Sequence, residues 1–366
     1  MMKTCPVVSV MCFSGFDGGM ELDAIKLAHL LSESCQVSLL CKQGSFIHDR
    51  VRQEQAFDVV PVNFHSRRFS PAMIRQVRRH IRRHGVSNVV FFGASELKSL
   101  YFAFLGLDIN VIVRHGTTKS HRKDGLIHRL IYACVDHHVA LSKHLLNNVR
   151  YIIPSADEHN SSIIMPSFDM RSPASGYETR HETGQHDHLY ITHIGRMAEG
   201  KGQVDAVKAC AALSAAGIEF ELHLLGGLKP DSYCDSLKAL VDNSGYRERV
   251  FLEGFSDQTS SFLQRTDVFL FPSAGEGMPN AFIEALHHGV ICIAYDNTVF
   301  PEYIELGFHV HLVEDGDVDG LSATLVRLAG EVDEQLARSR SNIELAGKLF
   351  QPSRELSDWL ALLLNT

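Results

Sequence analysis

The 366-residue sequence has no apolar run long enough to span a bilayer, which removes membrane-spanning helices from the alternatives. It has only 11 prolines and is 45% apolar, a composition that excludes a disordered or fibrous chain. Its eight cysteines are scattered, with no CxxC and no Cys/His pair at metal-ligand spacing. Neither a disulfide framework nor a zinc site is expected, and the thiols read as reduced core residues in a cytoplasm. No GxGxxG fingerprint, no internal sequence repeat and no Asp-x-Asp motif at a strand end stand out. The opening residues, "MMKTCPVVSVMCFSGFDGG", place one Lys before an apolar stretch that ends at a Cys, the outline of a short leader. That stretch is short and opens straight into a glycine loop and a helical pattern, so a buried first strand is the expectation.

A chain of this length is long for one core and suits two domains. Charge divides it as well. Through residue 183 there are 22 Lys and Arg against 16 Asp and Glu, and the remainder carries 13 against 27. A basic first half and an acidic second half meet different electrostatic partners. Between them "SPASGYETRHETGQHDH" (172–188) is polar and poor in aliphatics, as an exposed connection is. The expected division is a first domain at 1–170, a linker at 171–188, a second domain at 189–345 and a C-terminal helix at 346–366.

Within each half, strands and helices alternate. "VVSVMCF", "QVSLLC", "FDVVPV", "NVVFFG", "NVIVR" and "HVALS" read as strands, with helical stretches such as "GMELDAIKLAHLLSE" between several of them. "LYITHIG", "FELHLLG", "RVFLEG", "VFLFPS", "VICIAY" and "HVHLV" repeat the rhythm in the second half, around helices such as "KGQVDAVKACAALSAAG". That alternation implies an α/β fold of two parallel, helix-covered sheets. Such sheets bind ligands beyond the carboxyl ends of their strands, and two of them facing each other would make an interdomain cleft.

Three loops carry candidate chemistry. "SGFDGGMELD" follows the first strand, where Gly18 and Gly19 let backbone amides approach a phosphate at a helix start; a tight turn is the plain alternative. "IGRMAEGKGQ" sets Arg196 and Lys201 around a turn into a helix, a planar fork and a mobile point charge suited to a diphosphate, though solvated loop cations fit the same letters. "GEGMPNAFIEALHHG" (275–289) sets Glu276 before a helix and Glu284 within it. Pro279 suits the first turn, which places Gly277 and Met278 on the approach and Asn280 on the helix. A carboxylate beside the free amides of a helix start can take sugar hydroxyls, and Glu284, four residues after Asn280 on the same face, can take the two hydroxyls of a ribose. The alternative is that Glu276 caps the helix and Glu284 is solvated. Phe282, Ala285 and Leu286 make this a buried helix, so a carboxylate there needs a partner.

In order along the chain, "GRMAEGKG", "RVFLEGF", "DVFLFPSAGEGMPNAFIEALHHGVICIAYD", Glu302 and "VEDGDVDGLSATLVRL" resemble the second domain of the family-4 retaining glycosyltransferases of GT-B fold. "GGME", "VIVRHGTTKS" and "VALS" resemble the first domain. The resemblance implies that Arg196 and Lys201 neutralise the diphosphate of a nucleotide-sugar donor, with a UDP-sugar favoured. It implies that Glu284 binds the ribose, that Glu276 touches the donor sugar, and that the backbone of Gly277, Met278, Pro279 and Asn280 adds contacts. His115 matches a family histidine near the donor sugar and phosphate, and completes a catalytic set with Arg196, Lys201 and Glu276. No cofactor and no metal are implied, because the cations take the metal's place, and no nucleophilic carboxylate is assigned. Two departures follow from the letters. After "AYD" the family often has a glycine pair where this chain has "NTVFPE", and the usual linker motif is represented only by "IIMPSFD".

The acceptor is sought in the first domain. "PAMIRQVRRHIRRHG" (71–85) places Ile74, Val77 and Ile81 on one face and Arg75, Arg78, Arg79 and Arg82 around the others, with Arg67 and Arg68 just before it. A basic helix can hold a protein at an anionic bilayer, each nearby cation contributing roughly 1 kcal/mol. A sheet-covering helix with a solvated basic face fits equally. The expectation is a glycan or lipid-linked acceptor such as lipopolysaccharide core, a cytoplasmic protein with peripheral contact at the inner membrane, and no nucleic-acid partner, because aromatic interleaving is absent. "FQPSRELSDWLALLLNT" is an apolar helix holding Trp359, expected to cross back to the first domain or else to form a dimer contact. A nucleotide-sugar epimerase of the same fold and a non-catalytic nucleotide-sugar binder are the rival functions.

Overall fold

The computed structural model of the protein describes residues 6–16, 18–66, 69–93, 95–168, 188–228 and 230–365. Cys5, Arg67, Arg68 and, apart from His188, the expected linker lie outside the described residues. The chain forms two units, Met1–Ser167 with Pro352–Thr366, and Phe168–Gln351.

The first unit holds seven parallel strands: β1 (Val7–Cys12), β2 (Gln36–Lys42), β3 (Asp58–Val62), β4 (Asn88–Phe92), β5 (Asn110–His115), β6 (His137–Ala140) and β7 (Ser161–Ile163), ordered β3-β2-β1-β4-β5-β6-β7. Alternation along β1 sends Val8, Val10 and Cys12 into the core on one face of the sheet and Met11 into that on the other. The polar Ser9 is satisfied within the core: its hydroxyl lies 2.7 Å from that of Ser38, which lies 2.9 Å from Nε2 of His80. Sequence patterning misses β7, whose three residues are too few to show a period.

The basic helix runs Pro71–His84, started by the Ser70 hydroxyl, which accepts from the Met73 amide, and ended at Gly85. It buries Met73, Val77, His80 and Ile81. Its arginines are not one equivalent face. Arg75, Arg79 and Arg82 are exposed, but Arg78 donates through Nη1 to the carbonyls of Ala103 and Leu105, at 3.0 and 2.7 Å. That guanidinium satisfies the last carbonyls of the helix Leu97–Phe104, a structural task.

The C-terminal helix, Pro352–Asn365, lies in the first unit against the helix Gly19–Ser32, with Trp359 fully buried in the core. A side chain so buried cannot serve a dimer contact. Glu355 ties the helix in by accepting from the Ser167 amide at 2.6 Å and pairing with Lys26 at 3.6 Å.

The second unit is a six-stranded parallel sheet: β8 (Leu189–Ile194), β9 (Phe220–Leu225), β10 (Val250–Gly254), β11 (Val268–Phe271), β12 (Ile291–Tyr295) and β13 (His311–Val313), ordered β10-β9-β8-β11-β12-β13. All six match sequence-predicted strands. Chain direction across this sheet reverses between β8 and β11, and across the first between β1 and β4. At such switch points the loops leaving neighbouring strands diverge and open a crevice beyond the strand ends. Among the described residues no helix is long and apolar enough to cross a membrane, and the seven described cysteines are free.

Candidate active site

The loops that leave β8 and β11 meet at the second unit's switch point. Gly202 makes the meeting possible. Its φ is +87°, and a Cβ there would stand 2.2 Å from the Pro272 carbonyl oxygen, so only glycine lets the two backbones approach this closely. The Ala274 amide then locks the loops together by donating to the Gly200 carbonyl at 2.9 Å, an oxygen that also lies 3.1 Å from the Ser273 hydroxyl. Gln203 holds the other end by donating to the Arg196 carbonyl at 3.0 Å, its own oxygen fixed by the Tyr233 hydroxyl at 2.7 Å.

That frame delivers Lys201 to Glu276. Nζ lies 2.6 Å from Oε1, which also accepts from the Ser273 hydroxyl at 2.9 Å. The lysine side chain is 25% exposed and the glutamate 13%, so the pair faces solvent from a half-buried seat. Arg196 is exposed, and its guanidinium makes no bond among the described residues. Next to this pair the helix Asn280–His288 begins at Pro279, with no side chain capping it. The alternative that Glu276 is a helix cap is excluded, because its carboxylate is spent on Lys201 and Ser273. Gly277 and Met278 form the buried approach to the helix.

The loop "NTVFPE" proves to be a latch. Thr298 accepts from the Glu276 amide at 3.1 Å, and Asn297 donates to the Ser273 carbonyl at 3.0 Å and to Asp315 at 2.6 Å. Thr298 is the one non-glycine residue with positive φ among the described residues, at 44°. Glu302 stands in the first turn of the helix that follows, Phe300–Glu305.

Glu284 is 8% exposed and accepts from the Thr259 hydroxyl at 2.7 Å. Burial pushes its carboxyl above the usual range, and the Thr259 bond offsets this in part. A buried carboxylate with one hydroxyl partner costs stability in the empty protein and gains from a ligand that brings two more hydroxyls. Glu284→Gln is therefore expected to leave the melting temperature unchanged or raised while weakening nucleotide affinity by about 10- to 100-fold, the range for losing charge-assisted hydrogen bonds. Calorimetric titration and thermal melts of the same variant check both signs.

One expectation needs correcting. Asp315-Gly-Asp317 is an Asp-x-Asp that begins two residues after β13 ends, although none stood out in the letters. Both carboxylates act in the local structure, Asp315 accepting from Asn297 and Asp317 capping a helix by accepting from the Gly320 amide at 2.9 Å. Among the described residues no three His, Cys, Asp or Glu side chains are grouped to hold a metal.

In the first unit, Gly18 and Gly19 sit at the β1 end of the switch point, Gly18 preceding the helix Gly19–Ser32. His115 ends β5, where its Nε2 lies 3.0 Å from Nδ1 of His138. Burial holds both imidazoles low, His115 well below its ordinary value and His138 at about 4, so both are neutral near pH 7. The preceding residue, Arg114, anchors the strand end. It is buried, donates to Asp23 at 2.7 Å and lies over the Phe92 ring at 4.7 Å. Sequence reasoning assigned nothing to Arg114 or to Glu21. Glu21 is 3% exposed, in the first helical turn, and makes no bond among the described residues. The signal was present in "GGME", a Glu just past a glycine turn, where the helix dipole favours a negative charge.

Comparison with known proteins fits this geometry. Residues 188–331 match the family model described as glycosyl transferases group 1, a stretch that contains Lys201, Glu276 and Glu284. The chain carries a glycosyl transferases group 1 domain. The chain is 32% identical over 160 residues to the amylovoran biosynthesis glycosyltransferase AmsK of Erwinia amylovora, covering 40% of this chain and 38% of that protein. It is 30% identical over 149 residues to the N-acetyl-alpha-D-glucosaminyl L-malate synthase of Bacillus anthracis, covering 41% and 38%. The matched stretch thus spans less than two fifths of either relative's length. Anabaena HepE, crystallised in complex with UDP and glucose, superposes with a TM-score of 0.82 at 15% identity over 99% of this chain and 100% of that one. WaaG, described as a glycosyltransferase involved in lipopolysaccharide biosynthesis, gives 0.72 at 15% identity over 96% and 99%. At such identities the likeness is one of fold, and the two sheets belong to the GT-B class.

Proposed function

We propose that the protein is a retaining, metal-independent glycosyltransferase that moves a sugar from a nucleotide-diphosphate donor, a UDP-sugar by preference, to a hydroxyl of a glycan or lipid-linked acceptor in surface-polysaccharide or lipopolysaccharide synthesis. The observation that carries this reading is the Lys201–Glu276 pair at the β8/β11 switch point, beside a helix start that no side chain caps. Arg196 and Lys201 supply positive charge where a diphosphate leaves, electrostatic catalysis of the kind a metal otherwise provides. The helix start at Asn280 adds amide donors, and Glu284 takes the ribose hydroxyls. Glu276 orients the donor sugar once phosphate oxygens compete for its lysine. The acceptor is assigned to the first unit, where Glu21 is a buried carboxylate that makes no bond among the described residues and His115 a neutral hydrogen-bonding group. AmsK's role as an amylovoran biosynthesis glycosyltransferase and HepE's complex with UDP and glucose support the substrate class.

The test is a thermal shift of the wild type and Arg196→Ala with UDP, GDP, ADP and their sugars. A ligand that binds only the folded state at about a hundredfold excess over Kd stabilises it by about 2.7 kcal/mol. The expected result is a shift with the UDP series that the variant reduces. No shift with any series sinks the reading. Transfer assayed by NMR, with chelator present, then reads the product anomer and the metal requirement.

A further inference from the structure

The segment that follows His115 holds apolar side chains out in water. In the helix Leu126–Tyr132, Leu126 is 84% exposed, Ile127 70% and Leu130 55%, while Ile131 and Tyr132 anchor the turn in the core. Single exposed apolar residues are ordinary, but three on one side of a helical turn are not, since positions three and four apart are neighbours. The exposure is built in. The Lys119 and Asn148 residues exchange two hydrogen bonds of 2.9 Å, and the Lys123 amide donates to the Ile152 carbonyl at 2.6 Å. Arg122 lies over the ring of Tyr151, itself 61% exposed, at 5.4 Å. Around this apolar tip stand Lys119, Arg122, Lys123 and Arg129, with Asp124 the single carboxylate between residues 116 and 130.

We propose that this turn docks on an anionic bilayer surface, with Leu126, Ile127 and Leu130 entering the boundary between headgroups and acyl chains and Arg122, Lys123 and Arg129 meeting lipid phosphates. Apolar insertion and electrostatic attraction are the two signals that a peripheral contact needs. The charge selects the occupant. A second copy of this chain in a two-fold pairing would set the basic rim against itself, whereas an anionic membrane complements both the rim and the tip. The basic helix Pro71–His84 is the weaker candidate, because it turns Met73, Val77 and Ile81 inward and offers charge without insertion. The docking turn belongs to the first unit, to which the acceptor is assigned. This deepens the acceptor side of the proposed function without resting on the transfer chemistry.

The experiment is co-sedimentation of the full chain with phosphatidylcholine vesicles and with vesicles that also contain phosphatidylglycerol, at low and high salt. The wild type is expected to bind the mixed vesicles and to release from them as salt rises. Leu126→Asp with Ile127→Asp, and separately Arg122→Glu with Lys123→Glu, are each expected to weaken partition by about tenfold or more. All four sites are at or near the surface, and an unchanged melting temperature confirms folding. Failure of the wild type to bind mixed vesicles overturns the proposal, and so does unchanged binding by both variants. A wild-type dimer that Leu126→Asp with Ile127→Asp dissociates also overturns it, by giving the face to a second copy. The nucleotide thermal shift, run on the same variants, fails only with the donor reading, so the two failures are distinguishable.

Discussion

Lys201→Ala is expected to lower kcat/KM for sugar transfer by about 100- to 1,000-fold, the range for removing one preorganised electrostatic contact to a leaving group. The ammonium is partnered by one carboxylate at 2.6 Å. It has three donors, so phosphate oxygens can engage it while Glu276 remains near. Truncation also leaves Glu276 with only Ser273 as a side-chain donor, and places an unneutralised carboxylate beside the incoming diphosphate. Nucleotide affinity and turnover should therefore fall together. Glu276→Gln makes the opposite demand. It removes the charge that neutralises Lys201, so UDP affinity should hold or tighten while turnover falls by at least about tenfold, the mark of an interaction used in the transition state. Titration calorimetry with UDP and steady-state transfer rates on both variants check this split. Parallel losses of affinity and turnover in Glu276→Gln would reduce Glu276 to a loop brace.

Strand periodicity made both sheets legible, because parallel strands buried on two faces read as apolar runs of the right length. Lys201, Glu276 and Glu284 could be named as candidates because a residue type and its loop declared themselves. What the letters could not show was pairing across loops. That Lys201 meets Glu276 depends on Gly202 admitting the Pro272 carbonyl, a contact between residues 70 apart in the chain. Arg78 reads as one more surface cation, yet its partners are backbone carbonyls, which carry no sequence signature. Asp315 and Asp317 lie in "VEDGDVDG", a stretch the letters gave no site role, and their bonds depend on where Asn297 and the next helix fall. The exposed apolar tip at Leu126, Ile127 and Leu130 follows the same logic in reverse. Its letters look like any short amphipathic helix, and only the fold shows that the apolar side faces outward.

Acidification is expected to destabilise both units. Burial pushes His80 and His138 of the first unit down to about 4, and His193 and His311 of the second likewise, and it lowers His137, His287 and His288 as well. An unfolded histidine titrates near 6.5. Between these values the unfolded chain binds protons that the folded chain refuses, so stability present above pH 6.5 is lost as pH falls toward 4. Each such group contributes at most about 1.4 kcal/mol per pH unit, so the two in the first unit give about 2.7 near pH 5. His115, also held low, adds in the same direction. The second unit has a group of opposite sign. The Glu284 carboxyl, raised by burial, costs the fold most when ionised, so falling pH relieves it and offsets part of the His193 loss. Calorimetric scans from pH 7.5 to 5 should then show melting that falls steeply with pH. His138→Gln, which keeps a polar side chain but cannot titrate, should flatten that dependence by about one proton's worth. Melting that does not fall over this range would mean that these imidazoles are not held neutral in the core, and would remove the argument that His115 acts as a hydrogen-bonding group rather than a charge.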